Sequence, residues 1–193
     1  KRGIQNINVP TTLLAMVDAS IGGKTGINLN NIKNQIGTFN FSSPAFYDYR
    51  FLSSLPKRQV LNGAAEMIKI ALIKDENLWN SMKKESPYDS KQGFDSSFIE
   101  KCVSLKQDIV KQDMYDKEIR KISNFGHTIG HAIESIAMEK KLDILHGEAV
   151  ISGIFYAIKL SENKLSFPHN KALEIYTYLK ENYKIFNIKD YTT

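Results

Sequence analysis

The chain holds four histidines, and three of them, His127, His131 and His146, fall within a 20-residue window. His127 and His131 are four apart in the run Asn124-Phe125-Gly126-His127-Thr128-Ile129-Gly130-His131, so a helix places both on one face. Glu134 continues that polar stripe on a segment that is otherwise apolar, and such a face must meet either water or partners. Two histidines at this spacing are a familiar way to hold a divalent metal. Thr128 stands where the zinc-protease motif has its glutamate, which argues against that type of proteolysis. His146 is a candidate third ligand. Glu66 is a fourth, because a carboxylate set among Ala64, Ala65, Met67 and Ile68 is costly to bury without a cation. Two histidines and a carboxylate with one position left open make a catalytic zinc arrangement. From spacing alone the same side chains also read as hydrogen-bonded core histidines. Gly126 and Gly130 beside them leave room for something bulky to approach.

The second chemical signal is Asp18-Ala19-Ser20-Ile21-Gly22-Gly23-Lys24-Thr25-Gly26. Gly-Gly-Lys-Thr invites comparison with the phosphate loop of nucleoside triphosphatases, but Asp18 occupies the position where that loop requires glycine. A glycine turn beside Lys24 still makes an anion site, or else a plain turn with a solvated lysine. Lys33-Asn34 follows, Lys69 shares the helical face of Glu66, Lys106 interrupts an apolar stripe, and Arg120 lies four residues before Asn124. Singly these are solvated charges. Together with a metal they describe a pocket for a polar, multiply anionic small molecule.

Two regimes of sequence must position these groups. Up to about Pro56 the chain is rich in Gly, Asn, Ser and Thr, and strands are expected at Ile4–Val9, Ile36–Phe41 and Ala45–Tyr49. After Pro56 the period turns helical. Val60, Ala64, Ile68 and Leu72 mark one helix and Phe98, Cys102, Leu105 and Ile109 a second. A third starts near Asn124, a good cap residue, and a fourth carries Val150, Ile154, Phe155 and Ile158. A last helix runs from about Lys171 to Tyr183, and the polar stretch Ser86–Ser97 reads as a surface loop.

With 42% hydrophobic and 24% charged residues, the composition is that of a globular chain and excludes disorder. No apolar run is long enough for a membrane-spanning helix. The single cysteine, Cys102, allows no internal disulfide and fits a reducing, cytoplasmic setting. The net charge of +5 comes from scattered Lys and Arg, which favours a small anionic substrate over nucleic acid or a membrane surface. Lys1-Arg2-Gly3 lacks the features of a signal peptide, and the chain is expected to begin inside a longer protein.

Taken together the segments resemble the 3-dehydroquinate synthase family of sugar-phosphate cyclases. The resemblance is carried by Val9-Pro10-Thr11-Thr12-Leu13-Leu14-Ala15-Met16-Val17-Asp18, by Gly22-Gly23-Lys24-Thr25-Gly26, and by Lys33-Asn34-Gln35-Ile36-Gly37. It continues through Ala65-Glu66-Met67-Ile68-Lys69, the Asn124–Ala132 run and Leu145-His146-Gly147-Glu148-Ala149-Val150. The resemblance implies a mainly α chain: the tail of an NAD-binding α/β domain with a hairpin over residues 1–56, then a helical metal- and substrate-binding domain over 57–193. It further implies that the glycine-rich NAD turn lies upstream of Lys1, that a substrate-binding lysine lies beyond Thr193, and that such a fragment is inactive alone.

By motif, Glu66, His127 and His146 match the family's zinc (or cobalt) ligands, and Thr11, Thr12, Asp18, Lys24 and Lys33 its NAD contacts. Lys24, Asn34 and His131 would lie near the substrate phosphate. Lys106, Arg120 and Asn124 would hold the carboxylate end and hydroxyls, Lys69 would touch the substrate, and Arg2 would reach the phosphate of a neighbouring subunit in a homodimer. The stretch between His131 and His146, with Glu139-Lys140-Lys141 in it, is slightly longer than the family pattern. The implied reaction oxidises 3-deoxy-D-arabino-heptulosonate 7-phosphate with NAD, eliminates phosphate, returns the hydride and closes the ring by an aldol step. The rivals are a cyclase for a carboxylate-free sugar phosphate, such as a 2-deoxy-scyllo-inosose synthase, and a metal-dependent polyol dehydrogenase. Lys106 and Arg120 argue against the first, and the phosphate-facing Lys24 and Asn34 against the second. From a different class comes a non-catalytic helical dimerisation module.

Overall fold

The computed structural model describes residues 6–29, 32–41, 44–85, 88–89 and 93–187. Contacts divide the chain into two units, residues 1–121 and 122–193. The first unit opens with irregular chain rather than a strand. Asn8 makes one parallel bridge to Ala45, and the expected strands Ile4–Val9 and Ala45–Tyr49 go no further than that among the described residues. Pro10 ends the extended stretch, and Thr12 Oγ1 accepts the Ala15 N–H at 3.2 Å to start a helical turn. The turn widens into π geometry over Ala15–Ala19, where the Ser20 N–H reaches the Ala15 carbonyl at 3.0 Å. Single π turns of this kind recur at functional sites, and this one carries Asp18.

Strand β1 (Lys24–Leu29) pairs antiparallel with β2 (Ile32–Phe39), placing Lys24 opposite Phe39 and Gly26 opposite Gly37. Only the second was expected, over Ile36–Phe41; it starts four residues earlier and ends at Phe39. The first strand was hidden because Gly22, Gly23 and Gly26 mark its sequence as a turn, while the pairing turns on Thr25, Ile27 and the partner strand. Tyr49–Ser54 is a turn of 3-10 helix instead of a strand end, with the Asp48 carboxylate accepting the Arg50 N–H at 3.0 Å.

Helix α1 (Lys57–Lys74) begins after Pro56, as expected, and buries Val60, Ala64, Met67 and Ile68. It stops at Asp75, whose carboxylate accepts the Leu78 N–H at 3.0 Å and so starts α2 (Glu76–Lys84), a helix not foreseen. The expected loop 86–97 contains the two-residue strands β3 (Tyr88–Asp89) and β4 (Gly93–Phe94). Helix α3 (Ser96–Gln112) buries Phe98, Ile99, Cys102 and Ile109.

Among the described residues the second unit holds three α-helices: α4 (His127–Glu139), α5 (His146–Leu165) and α6 (His169–Asn182). Asn124 does not cap α4. It closes a 3-10 turn over Ile119–Asn124, and the cap is Gly126 at φ 78°, a left-handed conformation suited to glycine. Ile133, Ala149 and Phe186 form an apolar cluster with Ile129 and Ile144 against it. Gly126 and Gly130 were expected to make room for a ligand, but helix α5 takes that room. A Cβ at Gly130 would meet the Ala149 carbonyl at 3.2 Å, and one at Gly153 would lie 1.9 Å from the Gly126 carbonyl. The glycines let two helix backbones approach side by side.

Candidate functional site

The imidazoles gather in the second unit. His127 opens α4, His131 follows one turn later, and His146 opens α5; Glu148, three residues into that end, accepts the Leu145 N–H at 2.9 Å. The rings of His127 and His131 are 5.2 Å apart between centroids, those of His127 and His146 5.4 Å. His127 Nδ1 lies 3.3 Å from the Phe125 carbonyl, and His146 Nδ1 lies 3.1 Å from Glu134 Oε1. A carbonyl and a carboxylate only accept, so both Nδ1 atoms carry hydrogen, which places the lone pair of each neutral ring on Nε2. Glu134 also faces His131, with Oε2 3.9 Å from His131 Nε2. It belongs to the site, although sequence reasoning noted it only as part of the stripe.

The cations gather in the first unit. Glu66 and Lys69, both 3% exposed on α1, form an ion pair one helical turn apart. Lys106 on α3 pairs with Asp18 of the π turn. Burial foremost, and the Arg120 guanidinium second, push the Lys106 amine down to about 7, against the opposing pull of Asp116. Lys24, at the start of β1, pairs with Asp116. Arg120 is 4% exposed and donates to the Met114 carbonyl at 2.7 Å and the Gly22 carbonyl at 2.9 Å. Gly22, at φ 94°, has no Cβ because one would lie 2.1 Å from Arg120 Nη2.

Asp113 arranges this turn by accepting the N–H groups of Lys117, Glu118 and Arg120 at 3.0, 2.7 and 3.2 Å. Neither it nor Asp116 was singled out in the sequence. The available signal was an acidic residue just past a helix end, which is too common to single one out.

These partners bear on one expectation directly. Lys106 and Arg120 were thought to need a substrate carboxylate, yet Asp18 and two backbone carbonyls already engage them. Of the expected NAD contacts, Thr12 caps the first helical turn, Thr11 is exposed, and Asp18 faces Lys106. Lys24 lines a cleft of about 370 Å³ with Asn8, Pro10, Ala15, Ser20 and Thr25. Asn34 sits exposed in β2 at φ 54°, and Asn124 closes the 3-10 turn before α4. The side chain of Lys33 and the whole of Arg2 lie outside the described residues.

Two family models together cover residues 1–192. "3-dehydroquinate synthase N-terminal" matches residues 1–62 and "3-dehydroquinate synthase C-terminal" matches 63–192. The chain belongs to the 3-dehydroquinate synthase family. A curated 3-dehydroquinate synthase from Parabacteroides distasonis is 43% identical over all of this chain and 55% of its own length. One from Alkaliphilus metalliredigens is also 43% identical, over 84% of this chain and 46% of its length. The chain thus spans about half the length of these relatives. Among solved structures, the 2-epi-5-epi-valiolone synthase ValA from Streptomyces hygroscopicus subsp. jinggangensis, with NAD+ and Zn2+ bound, superimposes with a TM-score of 0.85 at 27% identity, over 96% of this chain and 52% of that one. A 2-deoxy-scyllo-inosose synthase complexed with carbaglucose-6-phosphate, NAD+ and Co2+ gives 0.76 at 36% identity, over 94% and 49%. These are the fold relatives expected of a sugar-phosphate cyclase chain that is mainly helical.

Proposed function

We propose that the whole protein is a 3-dehydroquinate synthase, converting 3-deoxy-D-arabino-heptulosonate 7-phosphate to 3-dehydroquinate and phosphate with NAD and a divalent metal. The observation that carries the reading is the pair His127 and His146, at the starts of α4 and α5 with ring centroids 5.4 Å apart and each Nδ1 hydrogen-bonded to an acceptor. By the family motif Glu66 is the third ligand, and a donor set of two imidazoles and one carboxylate suits zinc or cobalt. Family membership and the 43% identity to curated synthases support the substrate. When bound, NAD takes and later returns a hydride, and the metal polarises the hydroxyl that is oxidised.

The chain's own residues supply charge and position. Lys69 neutralises Glu66 from the same helix face. Lys24, Asn34 and His131 are assigned to the substrate phosphate, with Arg2 reaching it from a second copy in a homodimer. Lys106, Arg120 and Asn124 are assigned to the carboxylate and hydroxyls. Thr11, Thr12, Asp18, Lys24 and Lys33 are assigned to NAD. Lys24 and Lys106 are held by Asp116 and Asp18, which an anionic substrate would have to compete with for the two ammonium groups. The lone cysteine, Cys102, is in keeping with a cytoplasmic, reducing setting.

A cyclase for a carboxylate-free sugar phosphate is the second reading, because Lys106 and Arg120 have protein partners of their own. The test uses the whole protein with zinc, NAD and 3-deoxy-D-arabino-heptulosonate 7-phosphate, following phosphate alongside 3-dehydroquinate. Appearance of both, abolished by His127→Ala, is the expected result. Turnover of glucose 6-phosphate with none of the heptulosonate would overturn the substrate assignment.

A further inference from the structure

We propose that Glu134 is a positioning residue for the metal site: it holds the His146 ring by accepting its Nδ1–H, and so aims Nε2 at the cation. The inference rests on the metal reading above. Glu134 projects from the second turn of α4, and its side chain is only 13% exposed. A carboxylate that far from water needs compensating partners. Its two oxygens face two different imidazoles, His146 Nδ1 at 3.1 Å and His131 Nε2 at 3.9 Å. One acid on α4 thereby fixes a ring on α5 and sits beside a ring on its own helix.

The two ligand histidines are held by different devices. His127 is oriented by a backbone carbonyl two residues away, which no side-chain substitution removes. His146 has its Nδ1 bond to a side chain twelve residues distant, a partner that substitution can remove. A carboxylate in this position fixes the ring's orientation and raises the basicity of the ligating nitrogen. The carboxylate also favours the Nδ1–H tautomer before any metal arrives, so the site is preorganised rather than assembled on binding.

Two readouts on the full chain test this. Zinc affinity is measured by competition with a chromophoric chelator for the unsubstituted protein, Glu134→Ala, Glu134→Gln and, as control, the exposed Glu139→Ala. Loss of the carboxylate is expected to weaken binding about 10- to 100-fold. Glu134→Gln, whose amide oxygen still accepts from Nδ1, should recover part of that, and Glu139→Ala should be unchanged. The second readout is the histidine tautomer of the metal-free protein, read by long-range 1H–15N correlation at mildly alkaline pH where imidazole is neutral. His146 should be protonated at Nδ1, lose that preference in Glu134→Ala and keep it in Glu134→Gln, while His127 stays as it is. Undiminished zinc affinity in a folded Glu134→Ala, or an unmoved His146 tautomer, overturns the assignment. If Glu134→Ala does not fold, the near-isosteric Glu134→Met, which has no comparable acceptor, takes its place: a His146 still protonated at Nδ1 there sinks the proposal. Failure of the unsubstituted chain to bind zinc overturns the metal reading itself, a result distinguishable because the tautomer signature is recorded without metal.

Discussion

Charge at single residues is organised by pairing before any substrate is present. Lys24, Lys69, Lys106 and Arg120 each meet a carboxylate or a carbonyl of the same unit, and each basic group is thereby held in place without being spent. Cys102 is the opposite case, an ionisable group buried in the core. Burial foremost, and the Asp75 carboxylate second, push its thiol up to about 12. The thiolate is the nucleophile, so Cys102 should be inert to iodoacetamide in the native protein at mildly alkaline pH and react fully in guanidinium. Mass spectrometry of the alkylated protein checks this, and native labelling at the rate of a free thiol would contradict the burial.

At the scale of elements, Asp75 joins two helices. Its N–H closes α1 on the Ala71 carbonyl at 2.9 Å and its carboxylate caps α2. The cap's backbone hydrogen bond holds the carboxyl below its ordinary 3.8, with Lys101 helping and partial burial opposing. A depressed folded-state value stabilises the protein above the unfolded value, and that contribution is lost as pH falls through the folded one. Asp75→Ala should therefore cost about 1 kcal/mol at neutral pH. The gap to the unsubstituted protein should narrow in acid below the ordinary carboxylate range. Urea denaturation at both pH values measures it, and a gap that does not depend on pH would refute the cap.

Gly153 on α5 is the other decisive element position. Because a Cβ there would overlap the Gly126 carbonyl, Gly153→Ala should force α4 and α5 apart and cost about 3 kcal/mol. Gly130→Ala, with its tightest contact at 3.2 Å, should cost less than half as much in the same thermal melts. A Gly153→Ala variant that melts at the temperature of the unsubstituted protein would show that the helices separate without cost.

Over the whole molecule, the end of the described chain is tied down by polar bonds rather than left to pack alone. The Phe186 N–H donates to Ser152 Oγ at 3.1 Å, and Tyr156 donates its hydroxyl to the Phe186 carbonyl at 3.1 Å. Ser152 is fully buried, so Ser152→Ala leaves an N–H without its acceptor and should cost about 1 to 3 kcal/mol. Amide exchange should show the loss at Phe186 first, and unchanged protection there would exclude the tie. For the proposed synthase, removing the metal with a chelator should abolish phosphate release, and zinc or cobalt should restore it. Activity that survives exhaustive chelation would rule out the metal's role.

Much of this was legible from residue order because it depends on near neighbours. The four-residue step from His127 to His131, Pro56 before an apolar stripe, and the Gly-Gly turn at 22–23 are local patterns, and helix and turn geometry converts them into faces directly. The helices α1, α3, α5 and α6 followed for the same reason. Strand β1 did not, because Lys24-Thr25-Gly26 becomes a strand only by hydrogen bonding to β2. The start of α4 was misplaced because Asn124 is a good cap in isolation, while the packing of Gly126 against α5 decides where that helix begins. The sequence by itself determined which residue types are present and which of them share a helix face. Tertiary structure alone decided that Lys106 meets Asp18, that Arg120 spans to Gly22, and that Glu134 holds His146. Those pairings join residues 88, 98 and 12 positions apart, and no local periodicity encodes a distance that only the packed core sets.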